Sequence, residues 1–84
     1  MKRRIGFIGI IIDNREKCID SVNHLLSEYG DIIVGRMGLP YSKRGINIIT
    51  LIVDGSTDDI GAFTGKLGMI EGVNVKSGMS KVNE

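Results

Sequence analysis

Short apolar runs rich in β-branched residues recur along the chain and predict its strands. The first run covers 4–12 (RIGFIGIII) and the second covers 31–39 (DIIVGRMGL). The third run covers 46–53 (INIITLIV), and a shorter alternating segment at 73–77 supplies a fourth. The polar stretch 41–45 between the second and third runs is short enough to join antiparallel neighbours. The pattern therefore predicts four strands.

Apolar residues at helical spacing fill the two remaining gaps between these strands. In the first gap we expect Asp13 to cap the helix, with Glu16 in the capping-box position and Gly30 at the C-terminal end. In the second gap Ser56 is the expected N-cap and Gly72 the expected end. The residues that share the apolar faces of the two helices are Ile19, Val22, Leu26 and Tyr29, then Ile60, Phe63, Leu67 and Ile70.

The order strand, helix, strand, strand, helix, strand is the ferredoxin-like βαββαβ pattern. It predicts an α+β sandwich in which two helices cover one face of a four-stranded antiparallel sheet. The first and third strands are the most apolar, so we place them at the centre of that sheet. A chain of 84 residues accommodates one hydrophobic core, and 1–84 is therefore expected to form a single domain.

Polar and apolar residues do not alternate in the two central strands, although helices cover only one face in this fold. Ile5, Phe7 and Ile11 share one face of the first strand, while its opposite face is equally apolar. An uncovered apolar face would exceed the few hundred Å2 that soluble monomers tolerate. We therefore expect a homodimer or homotetramer. The residues assigned to its interface are Ile8, Ile10, Ile12, Ile49 and Leu51 of the sheet, and Gly61, Gly65 and Gly68 of the second helix.

The glycines in the segment 59–72 (DIGAFTGKLGMIEG) have two contrasting interpretations. A phosphate-binding loop needs four residues between its first glycine and Gly-Lys, followed by Ser or Thr. Here only three residues separate Gly61 from Gly65, and Leu67 follows the lysine. The segment also lies inside a helical pattern, where its glycines fall on the side away from the apolar residues. This pattern favours a smooth helix face, which either contacts solvent or allows close approach by another backbone or a ligand.

Composition and charge exclude several classes of function. Eleven basic and ten acidic residues give a net charge of +1, and no broad basic stripe points to nucleic-acid binding. No stretch reaches the ~20 apolar residues that a membrane-spanning helix needs. The single cysteine forms no internal disulfide, which is consistent with a cytoplasmic protein. We expect neither direct nucleic-acid binding nor membrane insertion.

The residues that commonly carry chemistry are few and poorly placed for it. Cys18 and His24 lie six positions apart, about 240° around a helix, so one helix does not bring both to one metal ion. No nucleophile and base occur as a recognisable pair. We therefore predict no metal, no cofactor and no enzymatic activity.

Several motifs resemble the small ACT-like proteins known as iron-only hydrogenase system regulators. They are DNREK at 13–17, VN at 22–23, RMGLP at 36–40, IGAFTGKLG at 60–68 and GVNVK at 72–76. The resemblance implies an ACT-like fold similar to the regulatory domain of the nickel-responsive repressor, which assembles through its sheets. It also implies a regulatory link to iron-only hydrogenase, with no catalytic residues to carry over. The repressor uses several histidines and a cysteine for its metal, whereas this chain has one histidine and one cysteine, and we expect no DNA-binding segment like that of the repressor.

Two functions remain after these exclusions. The first is a regulatory oligomer that senses a small ligand, for which we predict Asp13, Asn14 and Arg15 in the first turn as binding residues. Arg36, a lone charge in an apolar strand, is the fourth predicted binding residue and suits an anionic ligand, although a surface-reaching edge-strand side chain is the plainer interpretation. The second function is an adaptor that docks another protein through the exposed sheet, an edge strand or the glycine-striped helix.

Overall fold

Four strands and two helices follow the predicted βαββαβ order. A computed structural model describes residues 3–80 of the chain. Single 3-10 turns at Gly30–Ile32 and Ser42–Arg44 precede the second and third strands. The strands are β1 (Arg4–Asp13), β2 (Ile33–Tyr41), β3 (Ile46–Gly55) and β4 (Val73–Met79), and the helices are α1 (Ile19–Glu28) and α2 (Thr57–Gly68).

The strands form one antiparallel sheet in the order β2-β3-β1-β4. The two most apolar strands are central, as the sequence predicts, because a central strand has a neighbour on each side. Within β1 and β3, Ile10 lies opposite Ile49 and Gly9 lies opposite Thr50. Paired residues point to the same face, so this register fixes which side chains lie under the helices.

Both helices pack on one face of the sheet and enclose the core. Phe63 of α2 is completely buried and stacks on Tyr29, with 4.6 Å between the ring centroids. This arrangement confirms the ferredoxin-like α+β fold. The buried apolar side chains are Ile8, Ile10, Ile12, Cys18, Val22, Leu26, Ile32, Ile49, Leu51, Val53, Ile60, Phe63 and Leu67.

The face opposite the helices, called the open face below, is apolar across β2, β3 and β1. At its border on β4 the residues are polar, namely Asn74 and Lys76. Phe7 near its middle is 55% exposed. The apolar side chains of the open face are Ile5, Phe7, Ile11, Met37, Leu39, Tyr41, Ile46, Ile48 and Ile52.

The predicted sheet interface lies on the wrong face. Its five residues Ile8, Ile10, Ile12, Ile49 and Leu51 are 0–6% exposed, because α1 and α2 cover them within the same chain. A second subunit has no access to these side chains. The two-residue period of a strand correctly divides the apolar side chains into two sets on opposite faces. It carries no information about which set the helices cover.

The glycines of α2 lie on its outer side. Gly61, Gly65 and Gly68 are exposed, and a Cβ added to any of them would meet no atom within 4 Å. Their participation in an interface stays a prediction. Ser56 caps this helix as expected, since its hydroxyl accepts a hydrogen bond of 3.1 Å from the Asp59 amide.

Two predicted helix ends need correction. Helix α1 begins at Ile19 after Cys18, whose side chain makes no capping hydrogen bond. Asp13 instead ends β1 opposite Ile46, and its carboxylate accepts hydrogen bonds from Arg15 rather than from a helix amide. Helix α2 ends at Gly68 rather than at Gly72, which has a φ of 87° and begins the return into β4.

An irregularity in β2 decides the direction of its side chains. The pairing with β3 shifts between Ile33 and Gly35, so that Val34 is an extra residue. After this bulge, Met37 lies on the open face. Arg36, opposite Leu51, lies on the helix side of the sheet edge.

Candidate ligand-binding site

Three turns meet at one end of the sheet and are joined by their backbones. The amide of Asp13 donates to the carbonyl of Gly72, and the amide of Asn14 donates to the carbonyl of Gly45, each at 2.9 Å. Both glycines have left-handed φ values, 65° at Gly45 and 87° at Gly72, which disfavour residues with side chains. At Gly72 a Cβ would also lie 2.6 Å from the Cβ of Glu16. The sequence therefore builds a defined concave end from three loops.

Asp13 and Arg15 form a fork-shaped ion pair at this end. The Arg15 Nη2 donates to Asp13 Oδ2 at 2.7 Å, and Nε donates to Oδ1 at 3.0 Å. The backbone amide of Arg15 donates to the same Oδ1 at 2.9 Å. Hydrogen bonds from the Arg15 side chain and backbone lower the pKa of Asp13 from 3.8 to about 2. Asp13 is consequently an anion at neutral pH, and it holds the Arg15 guanidinium in place.

A pocket of about 480 Å3 opens beside this ion pair, on the same side of the sheet as the open face. Ile11 and Ile46 supply apolar lining, while Arg44 and Asn74 supply polar groups. Within residues 3–80 the Arg44 side chain makes no hydrogen bond or ion pair. Its guanidinium is therefore available to a ligand. We call this cavity the three-turn pocket; its lining is Ile11, Asp13, Arg15, Arg44, Gly45, Ile46, Gly72 and Asn74.

The four predicted ligand-binding residues divide between two places. Asp13 and Arg15 line the three-turn pocket, whereas Arg36 lies in a second groove of about 400 Å3 between α1 and β2. Asn14 connects the two regions, because its Oδ1 accepts a 2.6 Å hydrogen bond from Asn47, which lines that groove. Arg36 also borders a smaller pocket beside Met37 and Ile52, and it is not part of the three-turn pocket.

Residues of the pocket outside the first turn escaped the sequence analysis. Arg44 stands beside Lys43 in a polar turn, and nothing in the sequence distinguishes one cation from the other. Only the register of β3 brings Ile46 opposite Asp13 and thereby carries Arg44 to the pocket. Asn74 of β4 is brought to the pocket in the same way, because it pairs with Ile11 of β1. The useful signal is Gly45, whose position directly before a strand suggests a tight turn.

The described residues hold neither a cluster of metal ligands nor a membrane-spanning helix. Among residues 3–80, no group of three or more His, Cys, Asp or Glu side chains is arranged to hold a metal ion. None of the helices in that range is both long and apolar enough to cross a membrane.

Comparisons with known proteins agree with the motifs. Residues 4–77 match the family described as "TM1266-like: Iron-only hydrogenase system regulator, putative". The solved structure of the uncharacterized protein TM1266 from Thermotoga maritima has 38% sequence identity and a TM-score of 0.91, over 95% of this chain and 100% of that one. CPII, a nitrogen regulatory PII-like protein from Thiomonas intermedia K12 solved with ADP, AMP and bicarbonate, has 15% identity and a TM-score of 0.49, over 99% and 100%.

No curated protein matches the chain. The match to the family extends over both helices and all but the end of the last strand. The family that the sequence motifs indicated is thereby confirmed, and the chain belongs to the TM1266-like family.

Proposed function

We propose that the chain is a non-enzymatic regulatory protein that acts as a homo-oligomer and binds a small ligand in the three-turn pocket. Membership of a family described as regulators supports the regulatory role. The observation that carries the oligomer is the open face, where apolar side chains predominate on β1, β2 and β3 although Thr50 and Asp54 also lie there. A cytoplasmic location and an action on the hydrogenase system belong to the same proposal.

The size of the open face suits an interface between subunits. Adjacent strands lie ~4.8 Å apart and rise ~3.4 Å per residue, so the whole face projects to roughly 19 by 30 Å. Standard interfaces bury about 800 Å2 on each partner. Because side chains protrude from the sheet, the solvent-accessible area of the face is larger than this projected area. The accessible surface of the described chain is 5628 Å2, so such an interface would cover about a seventh of it.

A second copy of the chain is the occupant that best fits this face. Sheet faces stack at a separation of about 10 Å when side chains interdigitate, and the middle of this face is low because Gly9 lies beside Thr50. A twofold axis would set the same apolar patch against itself, as in most soluble homodimers. No charged residue interrupts the patch on β2, β3 or β1 between Ile5 and Ile11. A small chain also gains stability from burying this surface.

The experiment is a comparison of solution mass between matched variants. Phe7→Lys places a cation within the open face, whereas Met69→Lys makes the same change at a side chain that is 86% exposed on the other layer. We expect the unaltered chain and Met69→Lys to sediment as a dimer or tetramer at tens of micromolar. Phe7→Lys should sediment as a folded monomer. A monomeric unaltered chain, or equal masses for both variants, would contradict assembly through the open face.

An adaptor is the second candidate function, and the same open face favours it. If the unaltered chain is monomeric, the apolar patch is free for a different protein, and the exposed glycine face of α2 offers a further contact surface. A partner recovered with the unaltered chain and with Met69→Lys, but lost with Phe7→Lys, would support docking through the open face.

A further inference from the structure

We propose that the three-turn pocket takes a small carboxylate monoanion with an apolar body, and that Arg44 is its principal contact. This inference rests on the proposed function in that it names the class of ligand for the same pocket. It differs from the sequence-based expectation, which placed the anion at Arg36.

The charge of the pocket lining favours one negative charge. Asp13 contributes the single carboxylate among the lining residues, and Arg15 and Arg44 contribute two guanidiniums. Because Asp13 pairs with Arg15 through both carboxylate oxygens, the charge of Arg44 is the one left uncompensated. A planar guanidinium binds a carboxylate through two parallel hydrogen bonds. Asp13, and Glu16 packed against Gly72 nearby, would repel a second negative charge on the ligand.

The apolar part of the pocket favours a ligand with a hydrocarbon body. Ile11 is 42% exposed, and it lines the pocket together with the half-buried Ile46. The volume of about 480 Å3 lies within the range of small-molecule sites and far exceeds the space that a bare inorganic anion occupies. A carboxylate on Arg44 would leave its hydrocarbon part over these two side chains.

The occupied state of Asp13 argues against a zwitterionic ligand such as an amino acid. The negative charge of Asp13 is already paired with Arg15, since Oδ1 accepts from the Arg15 amide and Nε, and Oδ2 accepts from Nη2. Asn74 offers a neutral amide and therefore contributes no compensating negative charge. Adding an ammonium group to the ligand would place a cation beside Arg15 and Arg44 without a free carboxylate to receive it.

The test is an NMR titration with isobutyrate as the probe. Saturable amide shifts are expected at Ile11, Gly45 and Ile46. Arg44→Gln should weaken binding at least tenfold, whereas Lys43→Gln, which changes the adjacent cation outside the pocket lining, should leave it unchanged. Isobutyramide, which has the same shape without the charge, should not bind, and 2-aminoisobutyrate, which adds only an ammonium group, should bind more weakly than isobutyrate.

Several outcomes would overturn the inference. They are equal binding by isobutyramide, tighter binding by 2-aminoisobutyrate, equal binding by inorganic phosphate, or an unchanged affinity in Arg44→Gln. The titration is repeated in the Phe7→Lys variant, which is designed to be monomeric. If isobutyrate binds to Phe7→Lys and the unaltered chain does not assemble, the homo-oligomer is refuted and the ligand class stands. If the unaltered chain assembles but isobutyrate does not bind, the ligand class alone is refuted.

Discussion

The two faces of the sheet have nearly the same composition and different roles. Ile10 and Ile11 are neighbours in β1, yet Ile10 is completely buried under the helices and Ile11 is 42% exposed on the open face. Each is flanked by isoleucine on β3, Ile49 for the first and Ile48 for the second. Residue type therefore indicates a tendency to be buried. What covers a residue, either this chain or another molecule, depends on the tertiary arrangement.

The largest expected effect compares Ile10→Ala with Ile11→Ala. The first change leaves a cavity in the core and should lower the free energy of unfolding by about 2–5 kcal/mol. The second trims an exposed side chain and should cost less than about 1 kcal/mol when the protein is dilute and monomeric. Urea unfolding monitored by circular dichroism measures both values.

The dependence of stability on protein concentration gives a second comparison of the same two variants. Assembly through the open face adds stability to the unaltered chain as concentration rises, and Ile11→Ala should lose part of this gain. Ile10→Val and Ile11→Val supply a milder pair in case Ile10→Ala does not fold. Similar losses at both positions in dilute protein would contradict the division into a covered and an open face.

A smaller effect is expected at the two left-handed glycines. Gly45→Ala adds a side chain where no atom lies within 4 Å, so it should cost only the backbone strain of about 1 kcal/mol. Gly72→Ala adds the same strain and also places a Cβ 2.6 Å from that of Glu16, which should cost a further 1–3 kcal/mol or so. Thermal unfolding separates the two variants, and equal losses would mean that Glu16 moves aside without cost.

A substitution on the outer side of α2 should raise the stability of the chain rather than lower it. Gly61→Ala should stabilise the chain by about 0.5–1 kcal/mol, because an interior helical glycine gives way to a better helix former in open space. The same variant tests whether this helix side is a contact surface. If sedimentation shows weaker assembly despite higher stability, the glycines allow close approach by another subunit, as the sequence analysis suggested.

The smallest expected effect concerns the ion pair beside the pocket. The pKa of Asp13 is about 2 in the folded chain, below its ordinary value of 3.8. The ion pair therefore stabilises the fold fully above about pH 4, and this contribution is lost as the pH falls towards 2. A carboxyl NMR titration should give a midpoint near 2 that rises towards 3.8 in Arg15→Gln. Arg44→Gln should leave the midpoint in place, and a shared rise would indicate a different cause.

Periodicity predicted the elements and the central position of β1 and β3, because strand and helix spacing are local properties. It failed for Asp13, since the hydrogen bonds to Arg15 compete with helix capping and are invisible in the sequence. It also failed for the sheet side of the interface, because the covered face depends on where both helices pack. For the candidate site, Asp13 and Arg15 were found as neighbours in sequence. Arg44 was missed, because register alone brings it there.

Because of the bulge at Val34, the alternation of side chains between the two faces of the sheet changes register within β2. In this register Met37, Leu39 and Tyr41 complete the open face, and Arg36 lies on the helix side. A one-residue slip in the register of β2 beyond the bulge would exchange these two sets and place a cation on the surface proposed for self-association. The bulge itself absorbs one residue of length, so deletion of Val34 would make the ladder regular and leave Arg36 and Met37 on their present faces.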